Sequence, residues 1–197
     1  IVHAGYDCDP NTQKALFNVQ GNKLMWQDVK ELDVPHHQCG SIVVSTKGQV
    51  EGLEILKEKA MANGVYVEIW DKEKTRKLEP NVADDIEFSL YAPSAGIVSP
   101  YQLCIAYADR AVRNGAQVKL EAEVVGIERK DGVYTVYTSA GDFECDYIVN
   151  CAGAYGANVN DMAGAEHYET TYRRGDYFVL DNTERKNVHT VIFQLPT

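Results

Sequence analysis

The sequence predicts a mixed fold with both α/β and α+β character, and three observations support this expectation. Apolar residues at helical spacing alternate with short strand-like runs along most of the 197 residues. One clear helix start, at Ser99-Pro100, leads into a run of strand-like segments and tight turns. The composition, 45% hydrophobic and 24% charged, is that of a globular protein with one or two cores. We therefore expect folded layers of helix and sheet.

Charge and residue usage exclude several classes of function. Nineteen Lys and Arg against 29 Asp and Glu give a net charge of −10, which disfavours binding to a phosphate backbone, so nucleic acid is not an expected partner. No apolar run approaches the roughly 20 residues of a membrane helix. The spacing of His, Cys, Asp and Glu matches no metal motif, so no metal site is expected. Five cysteines without a C-x-x-C pair favour a reducing, cytoplasmic location.

The first half is predicted to alternate helices and strands. Residues 11–32 have a helical period behind a cap at Asn11, and Gly21-Asn22 marks a point where this helix is expected to kink or fray. Asn63-Gly64 is expected to end a second helix, because these residues readily adopt the left-handed backbone conformation of a helix C-terminus. The further elements expected here are strands at 41–45, 65–69 and 86–91 and helices at about 50–60 and 72–78.

The second half is predicted to form two helices, a small meander and a buried strand. Ser99 can cap the helix, and Gln102 can complete a capping box. Asp131-Gly132 is a strong signal for a two-residue hairpin. The apolar run at 146–150 is typical of a strand buried on both faces of a parallel sheet. Further strands are expected at 117–120, 123–129, 133–138, 143–145 and 176–180, and a helix at about 155–163.

The pattern also predicts how the chain divides. Residues 93–100 are the best linker candidate, the part around 97–164 has α/β character, and the flanks form a mixed α+β layer. Two noncontiguous flanks can then belong to one domain around a segment of another. Because the sequence opens with a strand-like run and without Met, we expect a piece of a longer polypeptide.

Candidate functional residues occur in three places, and each has a structural alternative. Ala152-Gly153 follows the predicted buried strand, where backbone can approach a ligand, although tight strand-to-helix packing needs small residues equally. His3 has small neighbours that leave its imidazole approachable for proton transfer, or it is structural. Arg174 can clamp an anion with its planar guanidinium, or lie on a solvated edge, and Tyr177 can donate a hydroxyl or pack.

Five segments in order resemble one known superfamily. They are Ile-Val-His-Ala-Gly-Tyr-Asp at 1–7, Gly-Ile-Val-Ser-Pro at 96–100, Glu-Val-Val-Gly-Ile at 123–127, Tyr-Ile-Val-Asn-Cys-Ala-Gly-Ala-Tyr at 147–155 and Arg-Arg-Gly-Asp-Tyr-Phe-Val-Leu-Asp at 173–181. Together they resemble the FAD-dependent D-amino-acid-oxidase-like superfamily. The likeness extends over nearly the whole chain. It is greatest to the bacterial glycerol-3-phosphate dehydrogenase branch, which also resembles L-2-hydroxyglutarate oxidases.

The resemblance implies a bipartite fold in which an FAD-binding α/β domain is interleaved with a substrate-binding domain that contains a mixed sheet. Residues 1–95 then belong mainly to the substrate-binding domain. Residues 96–165 form part of the FAD-binding domain with a β-meander, and residues 166–197 return to the substrate-binding domain. The glycine-rich G-x-G-x-x-G unit of the family does not occur in these residues. We therefore expect FAD in the full-length protein and not in this chain alone, which should be inactive.

The resemblance also implies roles for single residues. It places His3 near the flavin ring as the catalytic base, the Val124 backbone near the adenine end of FAD, and Ala152-Gly153 against the cofactor. Arg174 and Tyr177 are the expected substrate-binding residues. Tyr6-Asp7 stand where the glycerol-3-phosphate enzymes carry an arginine, which leaves the anionic group of the substrate open.

The expected reaction is FAD-dependent oxidation of a secondary alcohol that carries an anionic group, with sn-glycerol 3-phosphate as first choice and dihydroxyacetone phosphate as product. Two alternatives stay open: a 2-hydroxyacid oxidase acting on 2-hydroxyglutarate, and a noncatalytic substrate-recognition or interaction domain. The expected partner is a small anionic substrate. A peripheral membrane surface, an electron-acceptor protein and a second copy of the chain also remain open as partners of the full-length protein.

Overall fold

The computed structural model describes residues 1–195 and groups them into two units. The first unit contains Ile1–Asn114 and the stretch that begins at Val179, and the second contains Gly115–Phe178. Elements of the first unit are α1 (Gln13–Glu31), β1 (His36–His37), β2 (Ser41–Thr46), α2 (Val50–Ala62), β3 (Glu68–Asp71), α3 (Lys72–Leu78), β4 (Ile86–Ala92), β5 (Ile97–Val98), α4 (Pro100–Arg113) and β9 (Val191–Gln194). Elements of the second are β6 (Val124–Lys130), β7 (Val133–Thr138), β8 (Gly141–Cys145) and α5 (Gly156–Met162).

The first unit is built around a four-stranded mixed sheet in the order β3-β4-β2-β9. β4 is antiparallel to β2 and β3, whereas β9 is parallel to β2. Val43 in β2 is opposite Leu90 and Phe193, and these side chains lie in or against the core that includes Leu53 of α2. The predicted mixed sheet is confirmed. Its fourth strand, β9, was not predicted, because it depends on parallel pairing with the distant strand β2, which no local pattern indicates.

Helix α1 differs from its prediction at the start and in the middle. Its cap is Thr12, whose Oγ1 accepts a hydrogen bond from the Ala15 amide at 3.1 Å, and not Asn11. The helix runs unbroken through Gly21-Asn22, so the expected kink is wrong. Asn22 is buried and its amide group is hydrogen bonded outside the helix, which stabilises a residue with low helix propensity at this position.

A second, small sheet pairs β1 with β5. His36 is opposite Val98 and His37 is opposite Ile97. Gly96 makes this pairing possible, because a Cβ at that position would collide with the carbonyl of His37. Two-residue strands carry no periodicity that could have predicted them.

The second unit contains the predicted meander, an antiparallel sheet in the order β6-β7-β8. Asp131 and Gly132 both have positive φ, 52° and 91°, as the two-residue hairpin between β6 and β7 requires. A register irregularity between Val124 and Gly126 marks a bulge at the start of β6. Helix α5 is confirmed and is shorter than predicted.

Three predicted strands, at 117–120, 146–150 and 176–180, are absent. Their apolar side chains are exposed: Leu120 by 81%, Tyr147 by 86% and Phe178 by 97%. A strand forms only where a neighbour accepts and donates its backbone hydrogen bonds, and no described strand of 1–195 pairs with these segments. The capping box at Ser99 is also wrong, since its side chain caps no amide of α4.

Candidate active site

His3 lies on an exposed edge of the first unit, in a segment whose neighbours are buried. Val2, Ala4 and Tyr6 are each less than 8% exposed, while His3 is exposed. Two backbone hydrogen bonds join Val2 to Gly96, from Val2 N to Gly96 O at 2.8 Å and from Gly96 N to Val2 O at 3.1 Å. Alternation along an extended segment turns successive side chains to opposite faces. The imidazole is therefore presented outward from a segment that is firmly packed.

The backbone of His3 is held by helix α1. Asn22 donates from Nδ2 to the His3 carbonyl at 2.9 Å and to the Ser94 carbonyl at 2.8 Å. One turn later, Trp26 donates from Nε1 to the same Ser94 carbonyl at 2.9 Å. These bonds tie the segment of His3 to the turn that follows β4.

The imidazole ring of His3 stacks on the ring of Phe193 in β9. The ring centroids are 5.8 Å apart and the planes are inclined by 27°. This separation is within the range of favourable contacts between aromatic rings. The contact joins two residues that lie near opposite ends of the described chain.

His3 borders two cavities of the first unit. The larger, of about 520 Å³, is lined mainly by apolar residues of α1 and α4, among them Phe17, Met25 and Leu103. The smaller, of about 100 Å³, is lined by His3, Tyr6, Asp7, Val43, Leu56, Phe193 and Gln194. Among the described residues that line either cavity there is no lysine or arginine. The described linings therefore provide no lysine or arginine for an anion.

Tyr6 and Asp7 give the smaller cavity its polar character. Burial raises the pKa of Tyr6 to about 12, so its phenol stays protonated at neutral pH. Tyr6 can then donate a hydrogen bond but cannot act as a base near neutrality. Asp7 is exposed beside it, and a carboxylate there repels a phosphate or carboxylate group of a ligand. The hydroxyl end of a polar substrate suits this cavity better than its anionic end.

The other five predicted site residues belong to the second unit, so the structure does not group them with His3. Arg174 is exposed, and its Nε donates to Oδ1 of Asp176 at 2.8 Å. Tyr177 is 91% exposed. Neither lies in a helix or strand. Their roles in substrate binding remain predictions.

Val124, Ala152 and Gly153 are backbone positions with distinct geometry. Val124 is half-buried at the bulged start of β6. Gly153 has φ +55° and opens a 3₁₀ turn, and an added Cβ would meet no atom within 4 Å. Asn150, which the sequence did not indicate, stabilises this turn through two hydrogen bonds. Its Oδ1 accepts from the Ala152 amide at 3.1 Å, and its Nδ2 donates to the Gly156 carbonyl at 2.8 Å.

Comparison with known proteins shows which family the chain belongs to. A protein-family model described as FAD dependent oxidoreductase (DAO) matches residues 1–197. The chain belongs to the DAO family of FAD-dependent oxidoreductases. Over its whole length it is 40% identical to a glycerol 3-phosphate dehydrogenase of Caloramator mitchellensis, of which it covers 42%, and 28% identical to an L-2-hydroxyglutarate dehydrogenase of Escherichia coli (strain K12), of which it covers 47%.

Solved structures agree with this membership. Dithionite-reduced L-alpha-glycerophosphate oxidase of Mycoplasma pneumoniae, with FAD bound, matches 99% of the chain with a TM-score of 0.89 at 28% identity, and the match covers 53% of that structure. The mixed fold predicted from the sequence is confirmed by this likeness. This DAO-family chain spans about half the length of the curated relatives it matches.

The described residues of this DAO-family chain fit backbone contact with FAD. Gly153 offers open backbone in a left-handed conformation, a geometry at which a cofactor can approach closely. No group of three or more His, Cys, Asp and Glu among the described residues could hold a metal ion. No described helix is long and apolar enough to cross a membrane.

Sequence reasoning missed Asn22 and Phe193, which contact His3 in this DAO-family chain, and Glu79, which binds the segment before β9. Glu79 is 1% exposed, and its Oε1 accepts hydrogen bonds from the backbone amides of His189, at 2.7 Å, and Thr190. A glutamate before Pro80 at the end of a charged helix gave no signal of burial. Asn22 and Phe193 act through partners that are distant in sequence, which no local pattern indicates.

Proposed function

We propose that this chain is part of a flavoprotein that oxidises sn-glycerol 3-phosphate to dihydroxyacetone phosphate. The 40% identity to a glycerol 3-phosphate dehydrogenase supports this substrate. The carbinol C–H bond of the alcohol breaks with loss of a hydride, and the hydroxyl O–H bond breaks with loss of a proton as the ketone forms. FAD, when bound, accepts the hydride. The residues of the chain must then bind and orient the alcohol and accept its proton.

The single observation that carries the proposal is the geometry of His3. Its backbone is fixed by Asn22 and its ring by Phe193, while the imidazole borders two cavities. Histidine is the side chain most often used as a general base, and its efficiency depends on being held within reach of the proton it takes. His3 accepts the hydroxyl proton of the substrate in this proposal.

Arg174 is the proposed phosphate-binding residue, because its exposed guanidinium can bind an anion. A guanidinium binds a phosphate through two parallel hydrogen bonds, but its Nε is bonded to Asp176 here. The two terminal nitrogens are the donors that remain for the substrate. Tyr177, fully hydrated here, adds a hydroxyl donor.

The cofactor is assigned to residues of the meander and of the turn before α5. Val124 contributes backbone at its bulge, and Ala152-Gly153 contributes backbone at the open turn. In this proposal residues 96–165 are part of the FAD-binding domain, and residues 1–95 and 166–197 are part of the substrate-binding domain. All five cysteines are free thiols, which supports a cytoplasmic location.

A second candidate substrate is L-2-hydroxyglutarate. Tyr6-Asp7 follow His3 where the resemblance leads us to expect an arginine, and the E. coli relative is an L-2-hydroxyglutarate dehydrogenase. A dicarboxylate and a phosphate monoester differ in charge and shape, so the same site discriminates between them. A third candidate, a noncatalytic recognition domain, requires that no flavin be bound.

Anaerobic flavin reduction tests the three candidates together. The whole flavoprotein is mixed with sn-glycerol 3-phosphate, L-2-hydroxyglutarate or glycerol, and the absorbance of oxidised flavin is followed. The proposal predicts bleaching by sn-glycerol 3-phosphate at the lowest concentration and none by uncharged glycerol. Preferential bleaching by L-2-hydroxyglutarate supports the second candidate. A whole protein that retains no flavin after it is loaded with FAD supports the third.

A further inference from the structure

We propose that Phe193 is a positioning residue for His3, which fixes the orientation of the imidazole for proton transfer. The proposal rests on the proposed function of His3 as general base. Ring stacking at 5.8 Å and 27° is the observation from which it starts. Phe193 need not touch the reacting atoms, since it acts through the ring it packs against.

The backbone contact to Asn22 does not by itself orient the imidazole. That hydrogen bond holds the carbonyl of His3 and places no restraint on χ1 or χ2 of its exposed side chain. A neighbouring aromatic face restricts both angles, because an offset stack is lost when the ring turns away. Phe193 is the aromatic partner that the structure provides for this ring.

Phe193 is itself firmly placed, independently of His3. In the parallel pairing of β9 with β2 it is opposite Val43, a residue that is 1% exposed. Its half-buried ring packs against the core formed by β2, β4 and α2. A ring held by the sheet on one side can act as a fixed surface for the exposed imidazole on the other.

The entry to β9 is also anchored. Glu79 accepts hydrogen bonds from the amides of His189 and Thr190, and Thr190 donates from Oγ1 to the Cys39 carbonyl at 2.9 Å. These contacts come from α3 and from the residue just before Gly40, at the start of β2. They hold the strand at its first residues, so the position of Phe193 is defined at both the strand entry and the sheet.

Histidine resonances and kinetics test the proposal in the whole flavoprotein. Phe193→Leu removes the ring, Phe193→Tyr keeps it, and Phe88→Leu is the matched control, because Phe88 is a half-buried phenylalanine against the same core. The NMR signals of the His3 ring protons, assigned with His3→Ala, report ring stacking directly. Stopped-flow flavin reduction gives the rate and the substrate dependence separately.

We expect Phe193→Leu to shift the His3 ring signals and to slow flavin reduction about tenfold, a loss in the range that small displacements of reacting groups cause. In Phe193→Tyr, the His3 ring signals and the rate of flavin reduction should stay close to those of the wild type. Phe88→Leu should change neither the signals nor the rate. Unshifted His3 signals in folded Phe193→Leu, or an unchanged reduction rate with shifted signals, overturn the proposal. Phe193→Met provides the same comparison where the leucine variant does not fold. Full activity of His3→Ala would instead overturn the proposed function of His3 as general base. The His3 ring signals in Phe193→Leu test the stacking separately, so the two failures can be told apart.

Discussion

Asn22, in the middle of α1, donates a hydrogen bond from Nδ2 to the carbonyl of His3 at 2.9 Å. The same Nδ2 also donates to the carbonyl of Ser94 at 2.8 Å. One buried side chain therefore joins the helix, the turn after β4 and the candidate catalytic residue. His3 itself lies outside any described strand, so this contact supplements the β-bridge that its neighbour Val2 forms with Gly96.

Replacement of Asn22 by alanine should destabilise the first unit. The His3 carbonyl loses its side-chain donor, whereas the Ser94 carbonyl keeps the hydrogen bond from Trp26, so we expect a cost of about 1 to 3 kcal/mol in the free energy of unfolding. Alanine recovers about 0.6 kcal/mol through its better helix propensity, so a net loss remains. Urea unfolding of Asn22→Ala measures it, with the exposed Gln20→Ala of the same helix as control. Equal free energies of unfolding for the two variants would show that the Asn22 hydrogen bonds do not stabilise the first unit.

Glu79→Ala should loosen the entry to β9. The variant leaves the amides of His189 and Thr190 without their charged acceptor, and hydrogen bonds to charged groups contribute about 1.5 to 3 kcal/mol each. We expect faster hydrogen exchange at the amides from Thr190 to Val191. Glu73→Ala, in the exposed pair with Lys77, is the control and should leave this exchange unchanged. Unaltered exchange in Glu79→Ala would show that β9 is anchored elsewhere.

The pKa of Tyr6 predicts a loss of stability at alkaline pH. Burial raises this pKa from 10.0 to about 12, so the folded state holds the proton more tightly than the unfolded state. The associated stability is fully present below pH 10 and is lost as pH rises through 12. This rise in the pKa of Tyr6 corresponds to about 2 to 3 kcal/mol in the free energy of unfolding. Tyr6→Phe should flatten the decline in melting temperature over this range, whereas Tyr101→Phe, on an exposed side chain, should follow the wild-type curve.

Arg174→Lys tests the proposed anion contact in the whole flavoprotein. Lysine keeps the charge but loses the planar fork that pairs with two phosphate oxygens. KM for sn-glycerol 3-phosphate should rise about tenfold with little change in kcat, as expected for loss of ground-state binding. Arg185→Lys, in the 3₁₀ segment Asn182–Asn187, is the matched control. An unchanged KM would leave Arg174 as a surface residue in its pair with Asp176.

The sequence predicted those elements whose signals are local. The helix at 72–78 and the strand at 133–138 match the observed α3 and β7, because a charged helical turn before Pro80 and an alternating run after Asp131-Gly132 are complete within a few residues. The hairpin turn itself was predictable from Asp-Gly alone, since both residues must adopt positive φ.

Elements that depend on distant partners could not be predicted in the same way. Residues 146–150 have the composition of a buried strand, yet Tyr147 and Val149 are exposed in the described structure, since composition does not supply a neighbouring strand. β9 pairs with the distant strand β2, and Glu79, 110 residues away in sequence, accepts the amide of His189 just before β9. For the candidate site, His3 was indicated by its small neighbours, while Asn22 and Phe193 were not.

The rate of flavin reduction in His3→Ala tests the central claim most directly. Anaerobic stopped-flow mixing of the FAD-loaded variant with sn-glycerol 3-phosphate isolates the chemical step from later electron transfer. The account predicts a rate lower than wild type by roughly 10²- to 10⁴-fold, the contribution of a general base, with FAD still bound. A wild-type rate of reduction in the His3→Ala protein would contradict the account.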